Sequence, residues 1–143
     1  GMAALPLFNP DIEACGRPPA VAGMARRVGG ADGLIVASPE YAHGIPGVLK
    51  NALDWLVSGF EIPHKPVMLV HASIRGAFVR EHLSEVLRTM STRLHPGSAF
   101  EIHLVGKSPA EAREMLDRPE ARDLIRRTLA DFAAFASINP TSG

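Results

Sequence analysis

The sequence predicts an α/β fold in which a parallel β-sheet is covered by helices. Helical and extended patterns alternate along the chain, in the order helix, strand, helix, strand, helix, strand, helix. Such alternation is typical of parallel sheets whose strands are joined by right-handed crossovers. The strand predicted at Pro66–His71 is an uninterrupted, mostly apolar run. A strand of this kind is usually buried on both faces, as it is in a parallel sheet.

Length and composition limit the possible classes of protein. The chain has 143 residues, enough for one domain with a hydrophobic core, which we expect at residues 3–138. Gly1 and Met2 are interpreted as a tag remnant followed by the start methionine. The 15 basic residues are balanced by 15 acidic ones, which argues against a nucleic acid or an anionic membrane surface as partner.

Two further observations concern location. No apolar run approaches the ~20 residues needed to span a bilayer, and the first residues do not have the pattern of a signal peptide. The single cysteine, Cys15, has no second cysteine with which to form an internal disulfide, as is usual in a reducing compartment. We therefore expect a cytoplasmic protein that does not enter the membrane.

The first part of the chain predicts a loop, a helix and a strand. Residues 3–20 are rich in proline and glycine, and we expect a loop there. The pair Pro18-Pro19 then opens a helix that the pair Gly29-Gly30 ends. Four apolar residues share one face of this helix: Val21, Met24, Ala25 and Val28. After a short turn, Leu34–Ala37 is predicted to be a strand.

A second helix is predicted from Pro46 to Gly59, because proline is tolerated in a first turn and glycine ends helices. Trp55 lies beside its core stripe, either as part of the core or as the anchor of a subunit interface. On the polar side, Lys50 and Asp54 have the i, i+4 spacing of a weak ion pair. The core stripe itself comprises Leu49, Ala52, Leu53 and Leu56.

The second half predicts three helices and a strand. A third helix, which His95-Pro96-Gly97 breaks, has six apolar residues on one side: Val79, Leu83, Val86, Leu87, Met90 and Leu94. A strand is expected at residues 99–105. Ser108 and Glu111 have the spacing of a capping box and begin a short helix to about Leu116. The last helix is expected over residues 119–136.

The most informative stretch follows the strand Leu34–Ala37. There a buried strand ends in a polar, turn-rich loop that contains Pro39-Glu40-Tyr41, and this loop leads into the helix at Pro46. Ligands of open α/β sheets bind at such junctions, outside the carboxyl ends of the strands. Residues 45–55 read Ile-Pro-Gly-Val-Leu-Lys-Asn-Ala-Leu-Asp-Trp. Together with the Pro-Glu-Tyr loop, this run closely resembles the signature of the NADPH-dependent FMN reductases, a flavodoxin-like family.

The resemblance implies a flavodoxin-like parallel sheet with helices on both faces, and FMN held by three loops. One loop holds the phosphate, the Pro-Glu-Tyr loop lies against the isoalloxazine ring, and a third loop contacts the other side of the flavin. The second and third loops supply the candidate cofactor-binding residues of this chain, which are Pro39, Glu40, Tyr41, Ala42, His43, Ser73, Arg75 and Gly76.

By the same resemblance, Leu34–Ala37 corresponds to the third strand of the family. The family's first strand, its phosphate loop and most of its second strand have no counterpart in this sequence. Because the first strand pairs with the third in that fold, we expect a bare apolar edge at Leu34–Ala37. A partner chain, the N-terminal segment or residues preceding this sequence in a longer natural protein could cover the edge. The first of these possibilities predicts a homodimer or homotetramer.

Several candidate residues keep a second interpretation. Glu40 faces the flavin, or it lies near the positive N-terminal end of a helix. His43 offers a proton to a reduced flavin or a quinone, or it is simply solvated. Arg75 attracts a phosphate of FMN or NADPH, or it is likewise solvated. The six histidines are scattered without metal-ligand spacing, and we predict no metal site.

The resemblance implies an enzyme in which hydride passes from NADPH or NADH to FMN and then to a small acceptor such as a quinone. The flavin carries this chemistry, so no catalytic side chain is required. The alternative is a non-catalytic flavodoxin-like protein, dimerising or regulatory, that has lost FMN binding, and the missing phosphate loop favours it. An electron-carrying flavodoxin fits less well, because such proteins usually present an acidic face and this chain has no net charge.

Overall fold

The computed structural model describes residues 1–71, 76–96, 100–101 and 104–138. A 3₁₀ helix at Met2–Ala4 precedes six α-helices: α1 Pro10–Ala14, α2 Pro19–Gly29, α3 Gly47–Asp54, α4 Ala77–Thr89, α5 Pro109–Asp117 and α6 Pro119–Ser137. The strands are β1 Leu34–Ala37, β2 Pro66–His71, β3 Arg93–Leu94 and β4 Phe100–Glu101. None of the described helices is long and apolar enough to cross a membrane.

The sheet is parallel and is built around β2. On one side β1 pairs with β2 in the register Leu34 to Val67 through Ala37 to Val70. On the other side β3 pairs with the start of β2, and β4 pairs with its end. In the described part of the chain no strand pairs with the free side of β1. The prediction of a parallel sheet is therefore confirmed, and among the described strands β1 lies at its edge.

One face of the sheet carries the hydrophobic core. Val67 and Leu69 point to this face, because alternate residues of a strand point to opposite faces. Helices α2, α3 and α4 cover them, and the buried cluster comprises Ala25, Leu49, Leu53, Leu56, Ile62, Val67, Leu69, Leu83, Leu87 and Met90. Each of the three helices supplies residues that recur at helical spacing, as predicted.

The opposite face packs against α6. Phe132 of α6 lies so close to Gly33 that a Cβ atom there would be 2.9 Å from the ring carbon Cζ. The end of α6 is held by Arg93, whose guanidinium donates to the carbonyl oxygen of Phe135 over 2.8 Å and to that of Ile138. His95 Nε2 lies 3.1 Å from the Asp131 carboxylate of the same helix. Helices thus lie on both faces of the sheet, as the resemblance implied.

Trp55 belongs to the packed interior. Its side chain is fully buried, its Nε1 donates to the Pro6 carbonyl over 2.8 Å, and Phe8 meets it edge to face at 5.0 Å. Asn51 adds two hydrogen bonds to the same segment, one from the Phe8 amide and one to the Pro6 carbonyl. The interpretation of Trp55 as the anchor of a subunit interface is wrong, because none of its surface is left accessible to a second chain. The hydrogen bonds of Pro6 and Phe8 thus join this segment to Asn51 of α3 and to Trp55, which follows that helix.

Most predicted helices and strands are confirmed, with corrections at their ends. The short helix α1 lies inside residues 3–20, where only a loop was predicted, because Asn9 caps the Asp11 amide over 2.8 Å. The second helix ends at Asp54 and continues as turns to Gly59. The strand expected over residues 99–105 is described only at β4, and Leu104 and Val105 lie outside any strand.

The prediction that the third helix extends to Leu94 is wrong. Helix α4 ends at Thr89, and the backbone turns at Ser91 with a φ of 60°. Leu94 does face apolar neighbours, but it reaches them from β3, which pairs with β2. Sheet pairing therefore overrides a helical apolar pattern at this point. The capping box of Ser108 and Glu111 and the Lys50–Asp54 ion pair are confirmed.

Candidate functional site

The candidate site lies at the carboxyl edge of the sheet. The loop after β1, the last residue of β2 and the N-terminus of α4 meet there, because β1 and β2 run parallel and end at the same edge. Ser73 and Arg75, two of the candidate cofactor-binding residues, lie outside the described residues. The remaining candidates, from Pro39 to His43 and at Gly76, all belong to this edge.

The loop contains a tight turn at Tyr41 to Gly44. The Tyr41 amide donates to the Gly44 carbonyl over 3.2 Å, and the Gly44 amide donates to the Tyr41 carbonyl over 2.9 Å. Ala42 and His43, between them, have φ angles of 48° and 57°. Two consecutive positive φ angles are the mark of a type I′ turn. Each costs roughly 1–2 kcal/mol in a residue other than glycine, so neighbouring contacts must hold this backbone in place.

Glu40 caps helix α4. Its carboxylate Oε2 accepts a hydrogen bond from the Val79 amide over 3.0 Å. The N-cap residue of α4, Gly76, has no side chain that could do this, and it has a φ of 151°, a conformation that favours glycine. The carboxylate also lies at the positive end of the helix dipole. Glu40 therefore lies at a helix N-terminus, as its second interpretation held, but the helix is α4 and not the one that follows its loop.

His43 lies against α4 as well. Its imidazole stacks on the ring of Phe78, with centroids 4.3 Å apart and an angle of 10° between the planes. The Phe78 ring in turn lies 6.4 Å from that of His82, one helical turn further on. The interpretation of His43 as simply solvated is incomplete, since one face of its ring contacts Phe78. Sequence reasoning missed Phe78, although an aromatic residue beside the apolar stripe of α4 was a usable signal.

Tyr41 is an exposed aromatic residue of the loop. About two thirds of its surface is accessible, 66%, and its hydroxyl has no hydrogen bond to a described residue. Ala42 and His43 are exposed residues too. The turn therefore presents an aromatic side chain between exposed residues at the carboxyl edge of the sheet.

His71 ends β2 and is buried beneath this edge. Only 3% of the residue is exposed, and its Nε2 atom has no hydrogen-bond partner among the described residues. Burial lowers the pKa of His71 below its ordinary value of 6.5, and the positive charge of Arg80 lowers it further. Burial therefore favours the neutral form of the imidazole. No group of metal-binding side chains occurs within the described ranges.

The described residues fit the ring of a flavin better than its phosphate. An exposed turn with one aromatic side chain suits a flat, polar-edged ring. A phosphate needs amide donors or a helix N-terminus. The N-terminus of α4 already carries the Glu40 carboxylate, whose negative charge would repel a phosphate. The phosphate contact is therefore not assigned to this helix.

Comparison with known proteins supports the same family as the loop. Residues 1–106 match the sequence model of the NADPH-dependent FMN reductases. An NAD(P)H-dependent FMN reductase of Pseudomonas aeruginosa is 35% identical over 135 residues, covering 90% of this chain and 71% of that protein. A quinone reductase of Escherichia coli is 36% identical over 92 residues, covering 60% of this chain and 49% of that protein.

Solved structures show the same fold. A flavoenzyme NAD(P)H:(acceptor) oxidoreductase from Paracoccus denitrificans matches with a TM-score of 0.61 at 26% identity, covering 67% of this chain and 56% of that one. The apo form of an NADH:FMN oxidoreductase matches with a TM-score of 0.62 at 21% identity, covering 86% and 63%. The chain thus spans between about half and 71% of the relatives' own length. With its Pro-Glu-Tyr loop and flavodoxin-like sheet, it belongs to the NADPH-dependent FMN reductase family.

Proposed function

We propose that the protein is an NAD(P)H-dependent flavin reductase that transfers hydride through FMN to a small acceptor such as a quinone. The observation that carries the proposal is the exposed turn at Tyr41 to Gly44, fixed at the carboxyl edge of a flavodoxin-like sheet. Relatives named FMN reductase and quinone reductase support the same reaction. FMN, when bound, supplies the hydride-accepting chemistry.

The protein's contribution is to bind and orient the ring. Pro39 restricts the backbone ahead of the turn, and the peptide groups of Ala42 and His43, which take no part in the hydrogen bonds between Tyr41 and Gly44, offer donors and acceptors to the polar edge of the flavin. The exposed ring of Tyr41 lines one wall of the site. Ser73, Arg75 and Gly76 are proposed to approach the flavin from the loop after β2. Water exclusion and ring orientation are then the catalytic tasks of the chain.

The assembly and location follow as parts of this proposal. Residues 3–138 form one domain, which works as a homodimer or homotetramer in the cytoplasm with NADPH or NADH as co-substrate. The exposed edge of β1 supports an oligomer, since Ile35 is 49% exposed and no described strand pairs beside it. Light scattering of the purified protein gives its molar mass, and a value near 15.3 kDa would contradict the oligomer.

Titration with FMN tests the function. We expect FMN fluorescence to change on binding with a micromolar or tighter dissociation constant, and NAD(P)H to be oxidised in the presence of FMN and a quinone. The absence of binding at millimolar FMN would contradict the proposal. That result would favour the non-catalytic alternative, a dimerising or regulatory relative.

A variant of Tyr41 localises the binding. Tyr41→Ala should weaken FMN binding by about 2- to 10-fold, the range that an aromatic contact is worth. Phe60→Ala is the matched control, because Phe60 is an aromatic residue that is 98% exposed and makes no described ring contact. Equal affinities in Tyr41→Ala and wild type would remove the Tyr41 loop from the flavin site.

A further inference from the structure

We infer that Glu40, His43 and Phe78 are positioning residues, which hold the Tyr41 turn on helix α4 in the orientation that the flavin ring requires. The inference rests on the proposed function, and it assigns to the side chains of Glu40 and His43 a role other than direct flavin contact. The term loop–helix contact denotes the Glu40 hydrogen bond to the Val79 amide together with the stack of His43 on Phe78.

The contact has two parts on either side of Tyr41. Before it, the Glu40 carboxylate is joined to the Val79 amide at 3.0 Å. After it, the His43 ring is joined to Phe78 at 4.3 Å between centroids. Phe78 and Val79 are neighbours in the first turn of α4. The turn is therefore attached at both ends to one short stretch of a helix.

The backbone of the turn needs such an attachment. Ala42 and His43 both have positive φ, which residues with a Cβ atom rarely adopt. Two hydrogen bonds between Tyr41 and Gly44 close the turn but do not connect it to the rest of the protein. Without the loop–helix contact, the turn is free to relax towards the commoner negative φ angles, and its peptide groups then change direction.

The helix is a firm support for this purpose. Val79, Leu83 and Leu87 of α4 are at most 1% exposed and pack in the core. The side chains of Glu40 and His43 are engaged with that helix, so they act on the flavin through the backbone of the turn. Their loss should affect the flavin ring and leave any phosphate contact unchanged.

The single tyrosine of the chain makes the turn directly observable. Protein grown with 3-fluorotyrosine has one ¹⁹F resonance, that of Tyr41, and it can be measured without flavin. In the wild type we expect a resonance displaced from that of free fluorotyrosine. His43→Ala, Glu40→Ala and Phe78→Ala should each move the resonance towards the free position and narrow it. His43→Phe keeps a ring against Phe78 and should restore the wild-type position.

Matched controls separate the contact from general effects of substitution. His64 is exposed and also has a positive φ, 61°, so His64→Ala makes the same change at the same backbone conformation away from the loop. Phe60→Ala is the corresponding control for Phe78→Ala. Both controls should leave the Tyr41 resonance unchanged. An unchanged resonance in His43→Ala and Glu40→Ala would overturn the inference.

Flavin binding supplies the second readout. Each of the three substitutions should weaken the binding of FMN and the binding of riboflavin by the same factor, about 2- to 10-fold. The factors should be equal because the loop–helix contact acts on the ring that both ligands share. A loss of affinity for FMN but not for riboflavin would mean that Glu40 or His43 acts at the phosphate, and it would contradict the inference. If the Tyr41 resonance moves while the affinities for both ligands stay unchanged, the loop–helix contact holds the turn but does not affect flavin binding. That result would also contradict the inference.

The two proposals can fail separately. If the wild type binds neither FMN nor riboflavin, the proposed function fails. In that case the ¹⁹F spectra of the flavin-free protein still decide whether Glu40 and His43 hold the turn. If the wild type binds FMN but the substitutions leave the ¹⁹F spectra unchanged, the proposed function is supported and the positioning role is contradicted.

Discussion

One face of the sheet packs against three helices, whereas the other packs mainly against one. Val67 and Leu69 lie under α2, α3 and α4 in a continuous buried cluster. On the opposite face, α6 has Phe132 as its one buried residue in the described structure, and Ile35 of β1 is 49% exposed. Since buried apolar area is the main stabilising term, the three-helix face should supply most of the folding free energy.

The two faces also differ in their connection to the candidate site. Helix α4 contributes Leu83 and Leu87 to the three-helix face, and its first turn holds Glu40 and His43 of the loop. The loop is thus attached to the better-packed side of the protein. Substitutions on the two faces should therefore differ in both stability and function, as follows.

The largest expected effect is at the centre of the three-helix face. Leu83→Ala should reduce the free energy of unfolding by about 2–5 kcal/mol, because it leaves a cavity among fully buried residues. The same change at Leu129, which is 44% exposed on α6, should cost about 1 kcal/mol or less. Urea denaturation of both variants measures the comparison, and equal losses would show that the two faces contribute equally.

The next effect is at the closest approach on the one-helix face. Gly33→Ala should cost about 1–3 kcal/mol, because the new Cβ atom would lie 2.9 Å from Cζ of Phe132 and force the buried ring, or α6 with it, to shift. Gly47→Ala is the matched control, since a Cβ atom there has no neighbour within 4 Å. Thermal denaturation compares them. A Gly33→Ala protein as stable as the Gly47→Ala protein would mean that α6 is loosely held.

A smaller effect should appear on acidification. Burial lowers the pKa of His71, so the unfolded chain takes up a proton near pH 6.5 while the native imidazole takes one up only at a lower pH. The unfolded state then binds more protons, and stability should fall as the pH drops below 6.5. His71→Asn removes this contribution. Urea denaturation at pH 7.5 and 5.5 should show a smaller decline in the free energy of unfolding for the variant than for the wild type. Identical declines would exclude His71 as a source of the pH dependence.

The smallest effect is expected at the exposed edge. Ile35→Thr keeps a β-branched residue in β1 and should change the stability of the isolated chain by about 0.5 kcal/mol or less. If a second copy covers this edge, the substitution should instead lower the molar mass in light scattering. Ile35→Thr with an unchanged mass and a large stability loss would mean that Ile35 is buried by its own chain.

Particular residues show how far the sequence alone could be interpreted. The stripes of α2 and α3 and the apolar run of β2 were predicted correctly, because periodicity follows from burial on one or both faces. Leu94 was assigned to a helix, since its spacing fits α4 equally well, and only pairing with β2 distinguishes the two. Phe78 and Val79 were not associated with the loop, because contacts between residues almost 40 positions apart have no local sequence signal.

The sequence by itself determined the alternation of helices and strands, the family of the Pro-Glu-Tyr loop and the place of that loop at a strand end. These properties depend on neighbouring residues and on which residues share one face of a helix or strand. Both can be read from the order of residues within a short segment. Only the tertiary structure decided that Trp55 is buried against residues 6–8, that Glu40 caps α4 and that His43 stacks on Phe78. These contacts join distant parts of the chain, and they form only once the sheet brings its carboxyl edge and α4 together.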